Sequence, residues 1–320
     1  MSDEITAFVD AIKLTGFFDQ RAAVILARAP GRLDVMGGIA DYSGSLVLQR
    51  TIAEATFAAL QRTDARILNV VSLSPDPNEI PRVFAIPMDS LGSDVEPIPY
   101  SDARELFRNV ETRWAAYVIG VFLVLMRERR VAFPQGSKIL ISSRVPEAKG
   151  VASSAALEVA VMQAVITAFD FPVDAQEMAV LCQKVENLVA GAPCGIMDQM
   201  TAVCGEAGSL LSLLCQPAQL QSPVRVPETL EFWGLDSGER HAVSGSDYTS
   251  VRTGAFMGFR MIAEASDEAP DDYLANVSPV DFARDFVSLL PEEISGAEFL
   301  KRFARIDDTV TSVDPGRVYK

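Results

Sequence analysis

Histidine is almost missing from this chain: His241 is the single one in 320 residues. A histidine-rich metal site is thereby excluded, and a Ser-His-Asp apparatus would have to use that one ring. His241 itself reads as a surface or satisfied polar residue, so any general base is expected to be a carboxylate. Basic residues are scarce as well. Lys and Arg number 28 against 43 Asp and Glu, a net charge of −15. Nucleic acid and anionic membrane surfaces are therefore excluded as partners, because both need a basic patch. A local site can still oppose the global sign and take a small anion. The four cysteines, Cys182, Cys194, Cys204 and Cys215, form no CxxC pair, which argues against zinc or dithiol chemistry and for free thiols in a cytoplasmic protein. The longest strongly apolar run, 117–126, is too short to span a bilayer. The opening Met-Ser-Asp-Glu lacks the basic start of a signal peptide. GxxxxGK[ST] occurs nowhere, so a kinase here would need another architecture. Internal repeats and low-complexity tracts are absent, and nothing in the sequence sets an oligomeric state.

Apolar residues make up 49% of the chain, enough for a large core and two domains. The Pro-rich stretch 216–227 marks the expected boundary, giving domains 1–220 and 221–320. Ile5, Phe8, Val9, Ile12, Leu14 and Phe17 carry helical spacing. Strand-like runs follow at 24–29, 46–48, 53–60, 67–73 and 83–86, the first ending at Pro30. Residues 87–101 read as a surface connection. A buried helix is expected over 114–127, a strand over 138–145, and helices over 153–169 and 173–189, with Asp174 as the N-cap of the last. Strands at 210–214 and 230–235 and a helix at 247–265 complete the pattern. Grouped strands between long helices imply an α+β or mixed α/β fold rather than regular βαβ alternation. Trp114 and Tyr117 read as core residues rather than base-stacking ones.

Three stretches carry chemistry. Residues 29–42, Ala-Pro-Gly-Arg-Leu-Asp-Val-Met-Gly-Gly-Ile-Ala-Asp-Tyr, place Arg32, Asp34 and Asp41 among φ-permissive residues in an otherwise buried segment. Residues 144–158 run from a strand through Pro146, Lys149 and Gly150 into a helix that begins with Ser153, Ser154 and Ala155. Small residues there let an anion reach the free N–H groups, and the serine hydroxyls suit phosphate or Mg²⁺. Plain serine capping of an amphipathic helix is the competing account. Residues 182–200 carry Glu186 on a helix that breaks at Gly191 and Pro193, then Asp198 in an apolar setting. An Asp198 carboxylate paired with Arg32 stays ionised and can take a proton from a substrate hydroxyl. The alternative is Asp198 as a helix N-cap.

Together these stretches resemble the galactokinase branch of the GHMP small-molecule kinases. The family's first motif is similar to residues 29–42, its phosphate loop to 146–156, and its catalytic stretch to Cys194-Gly-Ile-Met-Asp-Gln199. Gly245-Ser-Asp-Tyr248 with Arg252 is similar to its sugar-contacting segment. The resemblance implies a two-domain α+β fold: an N-terminal α/β domain like ribosomal protein S5 and a C-terminal ferredoxin-like domain. It implies an ATP- and Mg²⁺-dependent kinase that phosphorylates the anomeric hydroxyl of a monosaccharide. Asp198 then matches the base and Arg32 the residue that keeps it ionised. Ser154, with Ser153 beside it, and Glu186 match the metal ligands. Lys149, Gly150, Val151, Ala152, Ser153, Ser154 and Ala155 match the nucleotide phosphate cradle, and Asp41, Gly195 and Tyr248 match sugar contacts.

Three departures shape the expectation. Gly38 and Ile39 stand where galactokinases carry Glu-His, the pair that grips the sugar's C6 hydroxyl. That substitution, and the run Gly-Gly-Ile-Ala-Asp-Tyr-Ser-Gly-Ser around it, is similar to the L-arabinokinases and points to L-arabinose. Galactokinase, a broader aldose kinase and a non-catalytic sugar- and nucleotide-binding relative are the alternatives. Ala148 stands where the family has Gly, a strain of about 1 kcal/mol if φ is positive there. The family's third, glycine-rich motif does not occur, so the second domain is expected to be incomplete, with an exposed apolar patch and doubtful activity.

Overall fold

The computed structural model describes residues 2–76, 78–238, 246–265 and 273–320. Its centre is a mixed sheet crossed by one long antiparallel ribbon. Strand β1 (Ile25–Met36) pairs with β2 (Leu46–Thr63), which also pairs with β5 (Gly136–Ser143) and β6 (Ser209–Leu214). Strand β3 (Ile67–Leu73) lies parallel to β5 and antiparallel to β4 (Arg82–Pro87). The two-residue strands β7 (Gln219–Leu220) and β8 (Val224–Arg225) extend the sheet along β6.

The strand expected to end at Pro30 instead continues to Met36. A register shift between Pro30 and Arg32 absorbs the proline, which has no N–H for a ladder. The runs 46–48 and 53–60 likewise fuse into the single strand β2. Polar Gln49 interrupts the apolar pattern, yet it is fully buried and bonds Asp34 across the ribbon.

Helices cover both faces. α1 (Ser2–Thr15) puts Phe8 against Phe57, Ala59 and Leu140 on one face. The other carries α2 (Tyr100–Leu106), α3 (Ala116–Arg129), α4 (Ser153–Phe169), α5 (Ala175–Lys184) and α6 (Met197–Cys204). α3 is apolar all round because it is buried all round: Val118, Ile119 and Val121 to Leu125 are fully inaccessible. α5 starts on Asp174, whose carboxylate accepts the Glu177 N–H, and runs into a π-helical turn, Val185–Ala190. Residues 87–101 are only partly a surface connection, since Met88 and Leu91 are fully buried and anchor it.

Past the sheet, α7 (Ser246–Ala265) and α9 (Gly296–Phe303) form a satellite cluster around Met257, Phe299 and Tyr319, with the short α8 (Pro279–Asp281) between them in sequence and β9 (Ile294–Ser295) paired to β10 (Val318–Tyr319). No strand forms over 230–235. The stretch meets the ribbon through side chains rather than a backbone ladder, with the Arg50 guanidinium of β2 4.9 Å from the Phe232 ring centre and Gly234 close to Leu33 of β1, and Trp233 and Leu235 stand 86% and 97% exposed. His241 and Gly245 lie outside the described residues.

Gly31 is where the segment before α4 touches the ribbon. A Cβ there would come within 2.8 Å of both Val145 Cγ1 and the Val151 carbonyl. Gly31→Ala is therefore expected to destabilise the fold by about 1–3 kcal/mol, read as a lower urea midpoint at unchanged m-value.

Candidate active site

Arg32 leaves β1 directly after the bulge and is 7% exposed. Its Nε donates to Asp198 Oδ1 at 2.8 Å, and Nη2 lies 2.7 Å from the same oxygen. Nη1 donates to the Gly150 carbonyl, and the Arg32 backbone N–H donates to the Val151 carbonyl at 3.1 Å. Burial alone would lower the guanidinium's pKa, but the Asp198 carboxylate outweighs it and the proton is held more tightly than usual. Asp198 sits at the second position of α6, not at its cap, which is Ile196. The carboxylate therefore lies at the positive end of a helix while being bonded by the arginine.

The strand ends in Gly37, whose φ is +107° and where any Cβ would strike Val47 at 2.5 Å. The following 3₁₀ turn, Gly38–Ser43, buries Asp41 and Tyr42. Asp41 packs directly on Gly195: a Cβ on that glycine would lie 1.9 Å from Asp41 Oδ2. Asp41 accepts the N–H groups of Tyr42 and Met197, while its Oδ1 is buried with no partner. Burial first, and the nearby Asp198 charge second, push its pKa up to about 7.

The loop before α4 takes the conformation that free anion-binding N–H groups require. Ala148, Gly150 and Ala152 all have positive φ, at 59°, 69° and 59°. Alanine in the left-handed region costs about 1 kcal/mol, a strain that the loop carries at 148 and again at 152. Ala152 is the N-cap and makes no side-chain cap, so serine capping does not occur and the first N–H groups of α4 stay open. The Ser154 hydroxyl bonds Glu186, which is 3% exposed and whose pKa burial, then Asp198, raises to about 7. Gly120 of α3 lets the π-helical turn carrying Glu186 approach closely, since a Cβ there would meet Val185 Cγ1 at 2.9 Å.

Arg32, Gly38, Ile39, Asp41, Gly150, Ala152, Ser153, Ser154, Glu186, Gly195, Asp198 and Tyr248 line one open cleft of about 1300 Å³. Three residues of the expected phosphate cradle face elsewhere. Lys149 pairs with Asp236 at 2.9 Å, Val151 turns its carbonyl to Arg32, and Ala155 is fully buried. Trp114 packs against the main core as expected but also lines the cleft, as does Tyr117, and the Arg82 guanidinium lies 5.4 Å from the Trp114 ring centre.

Further residues support the site, and of these Glu158, Asn187 and Asp308 escaped the sequence reading. Gln199 splits its amide between Glu186 Oε2 at 2.8 Å and Glu158 Oε2 at 3.2 Å. Glu158 is fully buried and follows Ser154 by one helical turn; that i, i+4 spacing on a helix was the available signal. Arg252 donates to the Cys194 carbonyl at 3.0 Å and to Asp308 through Nε and Nη2, at 2.8 and 2.9 Å. Asn187 bonds the N–H and carbonyl of Cys194 from the other side. All four cysteines are free thiols. Among the described residues no group of three or more His, Cys, Asp or Glu is placed to hold a metal, and no helix is long and apolar enough to cross a membrane.

The GHMP kinases N-terminal domain family matches residues 116–206, and the galactokinase galactose-binding signature matches residues 15–62. An L-arabinokinase of Arabidopsis thaliana is 42% identical over 95% of this chain and 34% of its own length. A galactokinase of Chloroflexus aggregans is 31% identical over 84% of this chain and 62% of its own. The chain thus spans about a third of the first relative and about three fifths of the second. The crystal structure of Lactococcus lactis galactokinase complexed with galactose superposes with a TM-score of 0.71 at 21% identity, over 89% of this chain and 68% of that one, so the fold is shared.

Asp41 gives a signed pH prediction. An acid whose folded pKa is raised loses stabilisation as pH climbs from its unfolded value, 3.8, through about 7. Asp41→Asn is therefore expected to match the parent near pH 4 and to exceed it at pH 8, by on the order of 1–3 kcal/mol, in urea unfolding of the ligand-free protein. A stability difference that does not change between those pH values refutes the buried-charge account.

Proposed function

The chain belongs to the galactokinase branch of the GHMP kinase family, and on that footing we propose an ATP-dependent sugar 1-kinase acting on L-arabinose. The observation that carries this reading is the buried Arg32–Asp198 pair facing the open N-terminus of α4 across one cleft. In the proposed reaction Asp198, held in place by Arg32, takes the proton of the anomeric hydroxyl. The oxygen so freed attacks the γ-phosphorus of ATP, whose bond to the β-phosphate bridging oxygen breaks and releases ADP. Arg32 also offsets the charge that develops on the transferred group.

The nucleotide's phosphate tail is assigned to residues 149–155, through the backbone N–H groups at Gly150 and Ser153 and the hydroxyls of Ser153 and Ser154. Lys149 joins them if the nucleotide draws it from Asp236. The residues present fit Mg²⁺. The Ser154 hydroxyl and the Glu186 carboxylate already touch and form a hard-oxygen pair. Magnesium characteristically takes one or two protein oxygens and completes its shell with phosphate and water. When bound, it supplies charge neutralisation at the phosphates. Asp41, the backbone at Gly195, and Tyr248 are assigned to the sugar.

The choice of sugar rests on Gly38 and Ile39. One has no side chain, the other is apolar and 49% exposed, and both line the cleft. A ring bearing a C6 hydroxymethyl group finds no polar partner at these two positions, so a pentopyranose loses nothing by lacking it. Galactose is the second reading, favoured by the galactose-binding signature over residues 15–62.

ADP release with L-arabinose, D-galactose or no sugar, each with and without Mg²⁺, tests the proposal. Higher kcat/KM for L-arabinose is expected; the reverse order assigns a galactokinase. Sugar binding with no ADP release under any condition assigns a non-catalytic binder. Asp198→Asn is expected to lower kcat by about 10²–10⁴ while sugar binding persists.

A further inference from the structure

Three of the cleft's carboxylates, Asp34, Asp41 and Asp198, gather around one of its arginines, Arg32; Glu79, Glu147, Glu186, Arg82 and Arg144 line the rest. Asp34 has no part in the reaction above, yet its side chain is held in place. It stands two residues beyond Arg32 on β1, hence on the same face of the strand. Its partner across the ribbon is Gln49, which is fully buried. Gln49 Nε2 donates to Asp34 Oδ1 at 2.7 Å, and the Gly38 N–H reaches the same oxygen at 3.3 Å. Oδ2 accepts from no described residue. A Cβ on Gly38 would come within 2.9 Å of it, so the bare glycine leaves that oxygen its place. Asp41 Oδ1, nearby in the same cleft, is buried and likewise without a partner.

We propose that Asp34 is a specificity-determining residue: its free Oδ2 accepts a hydroxyl of an uncharged monosaccharide and turns away sugars that carry an anionic group. The proposal rests on the sugar-site reading of the cleft and narrows it to neutral sugars. One carboxylate oxygen is fixed by a buried amide, so the other is a preorganised acceptor that needs no ordering when a hydroxyl arrives. A ligand without that hydroxyl leaves the acceptor unpaired once water is displaced. A uronate or phosphate substituent instead meets the carboxylates of Asp34 and Asp198 beside the buried Asp41. Arg32, the cation beside these acids, is already bonded to Asp198 and the Gly150 carbonyl.

Calorimetric titration of L-arabinose, D-galactose and D-galacturonate, in the presence of Mg²⁺ and a non-hydrolysable ATP analogue, tests this. Asp34→Asn keeps an oxygen for Gln49 and removes the charge. It is expected to weaken neutral-sugar binding at least tenfold and to narrow the neutral-to-uronate affinity ratio at least tenfold, with nucleotide affinity unchanged. Gly38→Ala, whose methyl group displaces Oδ2, is expected to weaken the neutral sugar in the same way and carries the test if Asp34→Asn does not fold. An unchanged neutral-to-uronate ratio in a folded Asp34→Asn overturns the assignment and leaves the sugar-kinase reading standing. Parent protein that binds none of the three sugars overturns both.

Discussion

The ion pair between Arg32 and Asp198 is the constraint from which the cleft follows. A guanidinium that is 7% exposed is costly unless its donors are used, and here every arm is engaged. Nε and Nη2 meet Asp198, and Nη1 meets the Gly150 carbonyl. One side chain thereby ties three separate elements: the bulged strand β1, the loop before α4 and the start of α6. Their sequence separations are 118 and 166 residues. Removing either charge would leave the other buried and uncompensated, a loss of about 3–5 kcal/mol at sites of this kind. The pair therefore fixes where the proposed base stands relative to the proposed phosphate cradle.

Around that pair the protein buries more acid than its stability favours. Asp41, Glu158 and Glu186 are each 3% exposed or less, and burial raises the pKa of all three. Gln199 offers one amide to two of them, and an oxygen of Glu158 stays unpartnered. Such an arrangement is poor for folding and suited to a site that takes a cation and sugar hydroxyls, the familiar tension between stability and function. Asp34 differs. It is exposed and anchored, so it adds an oriented acceptor at no comparable desolvation cost.

The C-terminal cluster is joined to the site by charge rather than by sheet. Arg252 on α7 lies beside the stacked Tyr42 and Phe256 rings, 5.4 Å from each ring centre, and bonds both Asp308 and the Cys194 carbonyl. Asn187 holds the same peptide from the opposite side. Gly195 is thus clamped between residues from α7 and the π-helical turn, and it presses on Asp41. A contact from 58 residues further along the chain therefore helps to set the proposed sugar side of the cleft.

Local chemistry was legible in the residues themselves. Alternating and helical spacing placed α3, α4 and β5 within a few positions, and Asp174 is the cap its type favours. The short motifs around Arg32, Ser154 and Asp198 named the groups that meet, because small residues, a lone arginine and a carboxylate in apolar company are each improbable without a partner. What escaped were decisions made by distant neighbours. Pro30 did not end its strand, because β2 accommodated a bulge; Gln49 did not break β2, because Asp34 took its amide; 230–235 formed no strand, because it meets the ribbon through side chains and not through its backbone. Lys149 turned to Asp236, and Trp114 and Tyr117 came to line the cleft, for reasons no window of sequence contains. By itself the sequence determined which residues can do chemistry, through their charge, size and backbone freedom. The tertiary structure alone decided which of them share a cleft and which atoms stay free, because burial and hydrogen-bond partners are set across more than a hundred residues of chain.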